Sequence, residues 1–202
     1  MLERYTSTAQ EDEGVLYFAA EEFKRWIGKE PTLIIDGQPR SHLDSGILIG
    51  TWSSLMQMGY DLSEAFPEIN ESPSEGDPYV LYEQHDVLIL AGHGERAVLF
   101  AVYEYIERWT GRTWVYPDSY VKPQGNGEGG EPTRLARNDR GEGEPLRLYR
   151  KSRFSRRGFV FETVYDEHYM RQVVDWMAKN RMSDLFCTFQ LWDRLKDVLT
   201  PE

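Results

Sequence analysis

Few residues in this chain have both the type and the spacing to do chemistry. Gly92-His93-Gly94-Glu95-Arg96-Ala97 fits the fingerprint G-x-G-x-x-G/A and stands between a strand pattern and a helix pattern. A helix N-terminus at that point could receive a pyrophosphate. Against this, Glu95 sets a carboxylate in the first helical turn, where the phosphate would sit. The segment before it reads as an antiparallel strand pair, and one short strand follows before a glycine-rich break. The pattern is therefore read as a tight strand-to-helix turn, and no cofactor is expected. His42, His85, His93 and His168 show no metal-ligand spacing and are read as loop or surface residues, so no metal is expected either. Neither a Ser-His-Asp arrangement nor a G-x-S-x-G elbow occurs. Cys187 is the sole cysteine and lies in the apolar run 185–189, as a small buried hydrophobe would.

The elements that must position such groups follow from apolar periodicity. Leu16, Ala19, Ala20, Phe23 and Ile27 recur at helical spacing before Gly28, and Val98, Ala101, Val102, Tyr105 and Trp109 do so between Gly94 and Gly111. A third helix begins near Asp166, a natural N-cap, with Met170, Val173, Val174 and Met177 on one stripe before Asn180. Strand patterns cover 32–35, 47–49, 79–83, 87–90 and 113–116, with a tight turn near His85 and Asp86. The first 120 residues thus predict an α+β unit, a mixed sheet with helices packed on it. Residues 121–145, carrying six glycines between 124 and 145 and little apolar content, read as a loop or linker. Beyond them, 146–154 alternates weakly as a strand. Residues 158–161, the third helix and 182–189 make a βαβ unit, the repeat of parallel sheets and barrels. The expected organisation is an α+β domain over 1–120, a linker over 121–145, and the start of a truncated (β/α) barrel over 146–202.

That layout gives some polar and aromatic residues a place. Asp166 and Glu167 are explained by helix capping and the helix dipole. Glu162 ends a barrel-type strand, where barrel enzymes put their active sites, and is a candidate substrate-binding residue. Trp109, Trp114, Tyr116 and Tyr120 could form a stacking platform, but Trp109 falls on a helix stripe and Trp114 and Tyr116 share a strand face, so core packing is favoured. Lys and Arg number 23 against 34 Asp and Glu, a net charge of −11 that excludes a general nucleic-acid binder. The polar, acidic residues 1–14 do not resemble a secretory signal, and no run reaches a membrane span, so a cytoplasmic protein is expected.

Two stretches carry a resemblance. Residues 87–117 include Ala101, Val102, Tyr103, Gly111, Arg112, Trp114 and Pro117, in the order strand, glycine turn, helix, then Gly-Arg-x-Trp-x-x-Pro. Residues 156–180 begin with Arg-Gly at Arg157 and Gly158 and run through a helix into Lys179-Asn180-x-Met182. Together with the helix over 18–27, they resemble the small α/β domain and the first barrel strand and helix of α-glucuronidases and family 20 β-hexosaminidases. The resemblance implies that Arg157 binds substrate hydroxyls, while Phe161-Glu162-Thr163 departs from the Leu-Asp usual after that strand. It also implies a glycoside hydrolase acting on polysaccharides or oligosaccharides, with the sheet domain buttressing the barrel. A full barrel takes about 250 residues, and paired catalytic carboxylates would come from later strands. No catalytic residue and no glycosidase activity are therefore expected of these 202 residues alone. Its partner would be a carbohydrate met through the full-length protein, with no nucleic acid or membrane; the oligomeric state is open. The alternatives are a stand-alone carbohydrate-binding module and a nucleotide-binding α/β protein.

Overall fold

The computed structural model describes residues 14–35, 44–71, 76–117, 119–121, 145–162, 166–188 and 193. Among the described residues five helices follow in chain order: α1 (Val15–Ile27), α2 (Trp52–Gln57), α3 (Glu68–Glu71), α4 (Glu95–Thr110) and α5 (Glu167–Lys179). The strands are β1 (Thr32–Ile34), β2 (Ser45–Thr51), β3 (Tyr79–Gln84), β4 (Asp86–Gly92), β5 (Thr113–Tyr116), β6 (Ser119–Val121), β7 (Arg147–Arg150), β8 (Gly158–Phe161) and β9 (Asp184–Cys187).

The main sheet runs β1-β2-β4-β3-β7. β1, β2 and β4 are parallel neighbours, while β3 is antiparallel to both β4 and β7. The mixed sheet predicted from sequence is thus present. Strand alternation sorts its side chains cleanly between two cores. Leu33, Ile49, Leu81, Leu88 and Leu90 point to the α1 and α4 side, where they meet Phe23, Val98, Val102 and Tyr105. Ile34, Leu48, Val80, Val87 and Ile89 point the other way and are covered by Trp52, Leu55, Tyr60, Leu62 and Phe66. Each such side chain contributes about 1.5–3 kcal/mol when fully buried, whereas an exposed ion pair such as Lys24–Glu30 is screened by solvent and adds little. Two-sided burial, not surface charge, holds this sheet together.

The helices end as their residue types require. Gly28 and Gly111 close α1 and α4 in the left-handed region, at φ 76° and 65°. The Asp166 side chain caps α5 by accepting from the Tyr169 N–H. α1 also buries a carboxylate: Glu22 accepts from the Tyr103 hydroxyl at 3.2 Å, Trp26 Nε1 at 3.0 Å and Arg25 at 3.0 Å. Three charge-assisted partners compensate its desolvation and tie α1 to α4.

The structure corrects the sequence expectations in four places. β7 lies in the stretch expected to open the barrel segment, yet it pairs with β3 and completes the first sheet, so a boundary at 145/146 would cut a strand from its sheet. Trp52–Gln57 is an unpredicted helix, capped by Thr51 at the end of β2. Val174 is 39% exposed, leaving Met170, Val173 and Met177 as the buried stripe of α5. Trp114 is buried but Tyr116 is 65% exposed, because an irregular register between Thr113 and Tyr116 breaks the strand alternation. Tyr120 carries no described side chain. Residues 122–144 of the segment expected as a linker lie outside the described residues, and Val121 is the last residue of β6.

Candidate functional site

The expected βαβ unit is present. β8 and β9 pair in parallel, Gly158 opposite Asp184 through Phe161 opposite Cys187, with α5 on one face. Phe159 meets Trp176 at a ring distance of 5.3 Å, and Met170 packs among Phe161, Leu185 and Cys187. Cys187 is half-buried, and burial raises its thiol pKa, which disfavours the thiolate. On the opposite face, Val160 and Phe186 stand side by side in register, 61% and 62% exposed.

The two residues predicted to bind substrate lie at opposite ends of β8. Arg157 precedes it. Its guanidinium donates Nε to the Arg181 carbonyl at 2.8 Å, Nη1 to the Phe154 carbonyl at 2.7 Å and Nη2 to Asp77 Oδ2 at 3.0 Å. Its own carbonyl accepts from the Ser183 and Asp184 N–H groups at 2.7 and 2.9 Å. Gly158 follows for a steric reason: a Cβ there would fall on the Asp184 carbonyl. Glu162 follows β8 at the C-terminal end, exposed, beside Thr188 after β9, whose Oγ1 lies 3.5 Å from the Glu162 carbonyl. Four residues of extended chain lie between Arg157 and Glu162, so their Cα atoms stand roughly 16 Å apart, one at each end of β8. The geometry makes Arg157 a structural clasp and places Glu162, exposed, at the C-terminal end of β8.

A second group of charges has no counterpart among the sequence candidates. Arg181, left-handed at φ 55°, donates Nη2 to Glu104 at 3.1 Å and to Glu107. Glu104 also accepts from Arg108 at 2.7 Å and from the Tyr79 hydroxyl at 3.2 Å. Burial pulls the Glu104 carboxyl upward, but Arg181, Arg108 and Tyr79 together outweigh it and hold the group below the ordinary carboxylate range. For Glu107 burial wins and its carboxyl is raised in spite of Arg181. Burial and the neighbouring Glu104 raise the Tyr79 hydroxyl. Trp176 Nε1 and Asn180 Nδ2 meanwhile donate to the Trp114 carbonyl at 2.9 and 3.2 Å, fastening α5 to β5. The only local hint of this network was the i, i+4 pair Glu104 and Arg108 on α4.

The glycine motif reads as the turn expected from sequence. A Cβ on Gly92 would collide with the Ala97–Val98 backbone, so glycine is required for α4 to pack against β4. His93 contacts the Trp52 ring edge-on at 5.6 Å. Trp26 and Trp109, both half-buried, are already engaged: Arg112 and Arg25 lie 4.0 and 4.8 Å from the Trp26 ring, and Trp109 stacks on Tyr105. Among the described residues, no three His, Cys, Asp or Glu side chains could hold a metal ion, and no helix is long and apolar enough to cross a membrane. No family model matches the chain, and no curated protein matches it either.

Proposed function

We propose that this chain is the N-terminal, non-catalytic portion of a glycoside hydrolase acting on polysaccharides or oligosaccharides, with the five-stranded sheet buttressing the first strand–helix–strand of a (β/α) barrel. One observation carries the reading. β8 and β9 form a two-stranded parallel sheet with a helix on one face and Val160 and Phe186 bare on the other. Parallel sheets are almost always covered on both faces, and two strands do not make a stable sheet alone. Further strand–helix repeats would cover that face and supply the carboxylate pair that glycoside hydrolysis uses. Glu162, at the C-terminal rim, takes the substrate-side role, and Arg157 a positioning one.

The test is the native reading frame beyond Glu202, followed by reducing-sugar release from a panel of glycans. The expected result is several more strand–helix repeats with an Asp/Glu pair at strand ends, activity in the whole product and none in residues 1–202. A frame that stops at 202 overturns the proposal. One observation favours a second reading, a stand-alone carbohydrate-binding module: Tyr116 and Val115 are 65% and 44% exposed on β5. That reading predicts glycan affinity in residues 1–202 that Tyr116→Ala abolishes.

A further inference from the structure

The passage from β7 to β8 is short and polar, the kind of stretch that tethers two bodies loosely. Its contacts are of another kind. The Ser152 N–H donates to the Gly76 carbonyl at 3.0 Å, and a Cβ on Gly76 would fall on the Ser152 carbonyl. One residue on, Asp77 is held at φ 49°, a conformation that side chains rarely adopt outside Asn and Asp. Its two carboxylate oxygens then serve opposite sides. Oδ1 takes Arg96 Nε and Nη2 from the first turn of α4, at 3.0 and 2.8 Å, and Oδ2 takes Arg157 Nη2 at 3.0 Å. The Asp77 side chain is 10% exposed and that of Arg157 18%. Pro78 closes the turn by accepting from the His93 N–H at 3.0 Å.

We infer that the loop 76–78 is a latch, in which Asp77 bridges α4 to Arg157 and sets the N-terminal ends of β8 and β9 against the five-stranded sheet. The bridge acts where Arg157 also holds the Phe154 and Arg181 carbonyls, so one carboxylate orients both strand entries. It joins the two parts as one body and leaves the Glu162 rim at the far end untouched. This does not depend on the glycoside hydrolase reading.

Hydrogen exchange of the 202-residue chain tests it. Asp77→Asn keeps the tolerance for a positive φ and removes the charge, and Arg157→Lys keeps the charge and loses the planar fork. In both variants, amides of 158–161 and 184–187 should exchange at least tenfold faster while those of 87–91 keep their wild-type rates. Arg96→Gln, which alters a side chain already 54% exposed on the sheet side, should accelerate the same amides by less than threefold. Unchanged rates in 158–161 and 184–187 for both variants overturn the latch. So does an equal acceleration in 87–91, or an Arg96→Gln variant that matches Arg157→Lys.

Discussion

Gly158→Ala is the substitution with the most localised expected consequence. At this residue β8 crosses β9 so closely that a new Cβ would occupy the position of the Asp184 carbonyl oxygen, a backbone atom with no rotamer to escape into. The strands must part. Forcing one extra carbon into a packed contact costs about 1–3 kcal/mol. Parting them also strains the bonds from the Ser183 and Asp184 N–H groups to the Arg157 carbonyl, 2.7 and 2.9 Å long, each contributing about 1 kcal/mol. The sum, roughly 3–5 kcal/mol, falls on a two-stranded sheet with one helix, while the five-stranded sheet has two cores of its own. Hydrogen exchange read by peptide should therefore show 158–161 and 184–187 losing protection, with 47–50 and 87–91 unaltered as the internal control. A variant with wild-type exchange in 158–161 and an unfolding free energy from urea titration within about 0.5 kcal/mol of wild type would refute the steric reasoning.

Two further predictions concern the charges and caps. Glu104 has a folded pKa below its unfolded value, so its stabilisation is present above the ordinary carboxylate range and is lost as pH falls through the folded value. Glu107 is raised, so its contribution has the opposite sign and is lost as pH rises through its folded value. At pH 7, Glu104→Gln should cost about 3 kcal/mol and Glu107→Gln less, and the cost of Glu104→Gln should shrink below about pH 4. Urea midpoints at pH 7 and 3.5 check this, and a larger loss for Glu107→Gln at pH 7 would contradict it. Asp166→Ala removes the carboxylate cap of α5 and should cost about 1 kcal/mol, seen as a lower urea midpoint and faster exchange at Tyr169 and Met170.

The parts of the fold legible in the sequence are those whose pattern closes within about twenty residues. β3 and β4 were readable because branched apolar runs flank His85 and Asp86, and the turn indeed places His85 at φ 55°. α5 was readable because Asp166 caps a periodic stripe. α2 was not, since six residues show less than two helical turns and its cap, Thr51, is also the last residue of β2. β7 was visible as a strand but not as a neighbour of β3, because pairing partners are set by the packed sheet and not by local spacing. The same holds at the site. Glu162 could be placed at a strand end, whereas the bridge from Arg157 to Asp77 spans 80 residues and that from Arg181 to Glu104 spans 77. Arg-Gly looked like a ligand motif, yet its arginine satisfies two carbonyls and its glycine makes room for a third.

The placement of β7 also sets an order of events at the ribosome. Everything needed for β1, β2, β3 and β4 has been made by Gly92, and α4 completes one core by Thr110. The strand that covers the outer edge of β3 arrives only with Arg147–Arg150. At synthesis rates of about 5–20 residues per second, the sixty-odd residues between β3 and β7 correspond to roughly 3–13 s. Through that interval the emerging chain carries an open β edge with Val80 and Leu81 beside it, a template for pairing with any neighbouring nascent copy. Slowing translation across 111–146 should therefore raise the aggregated fraction more than the same delay placed after residue 150.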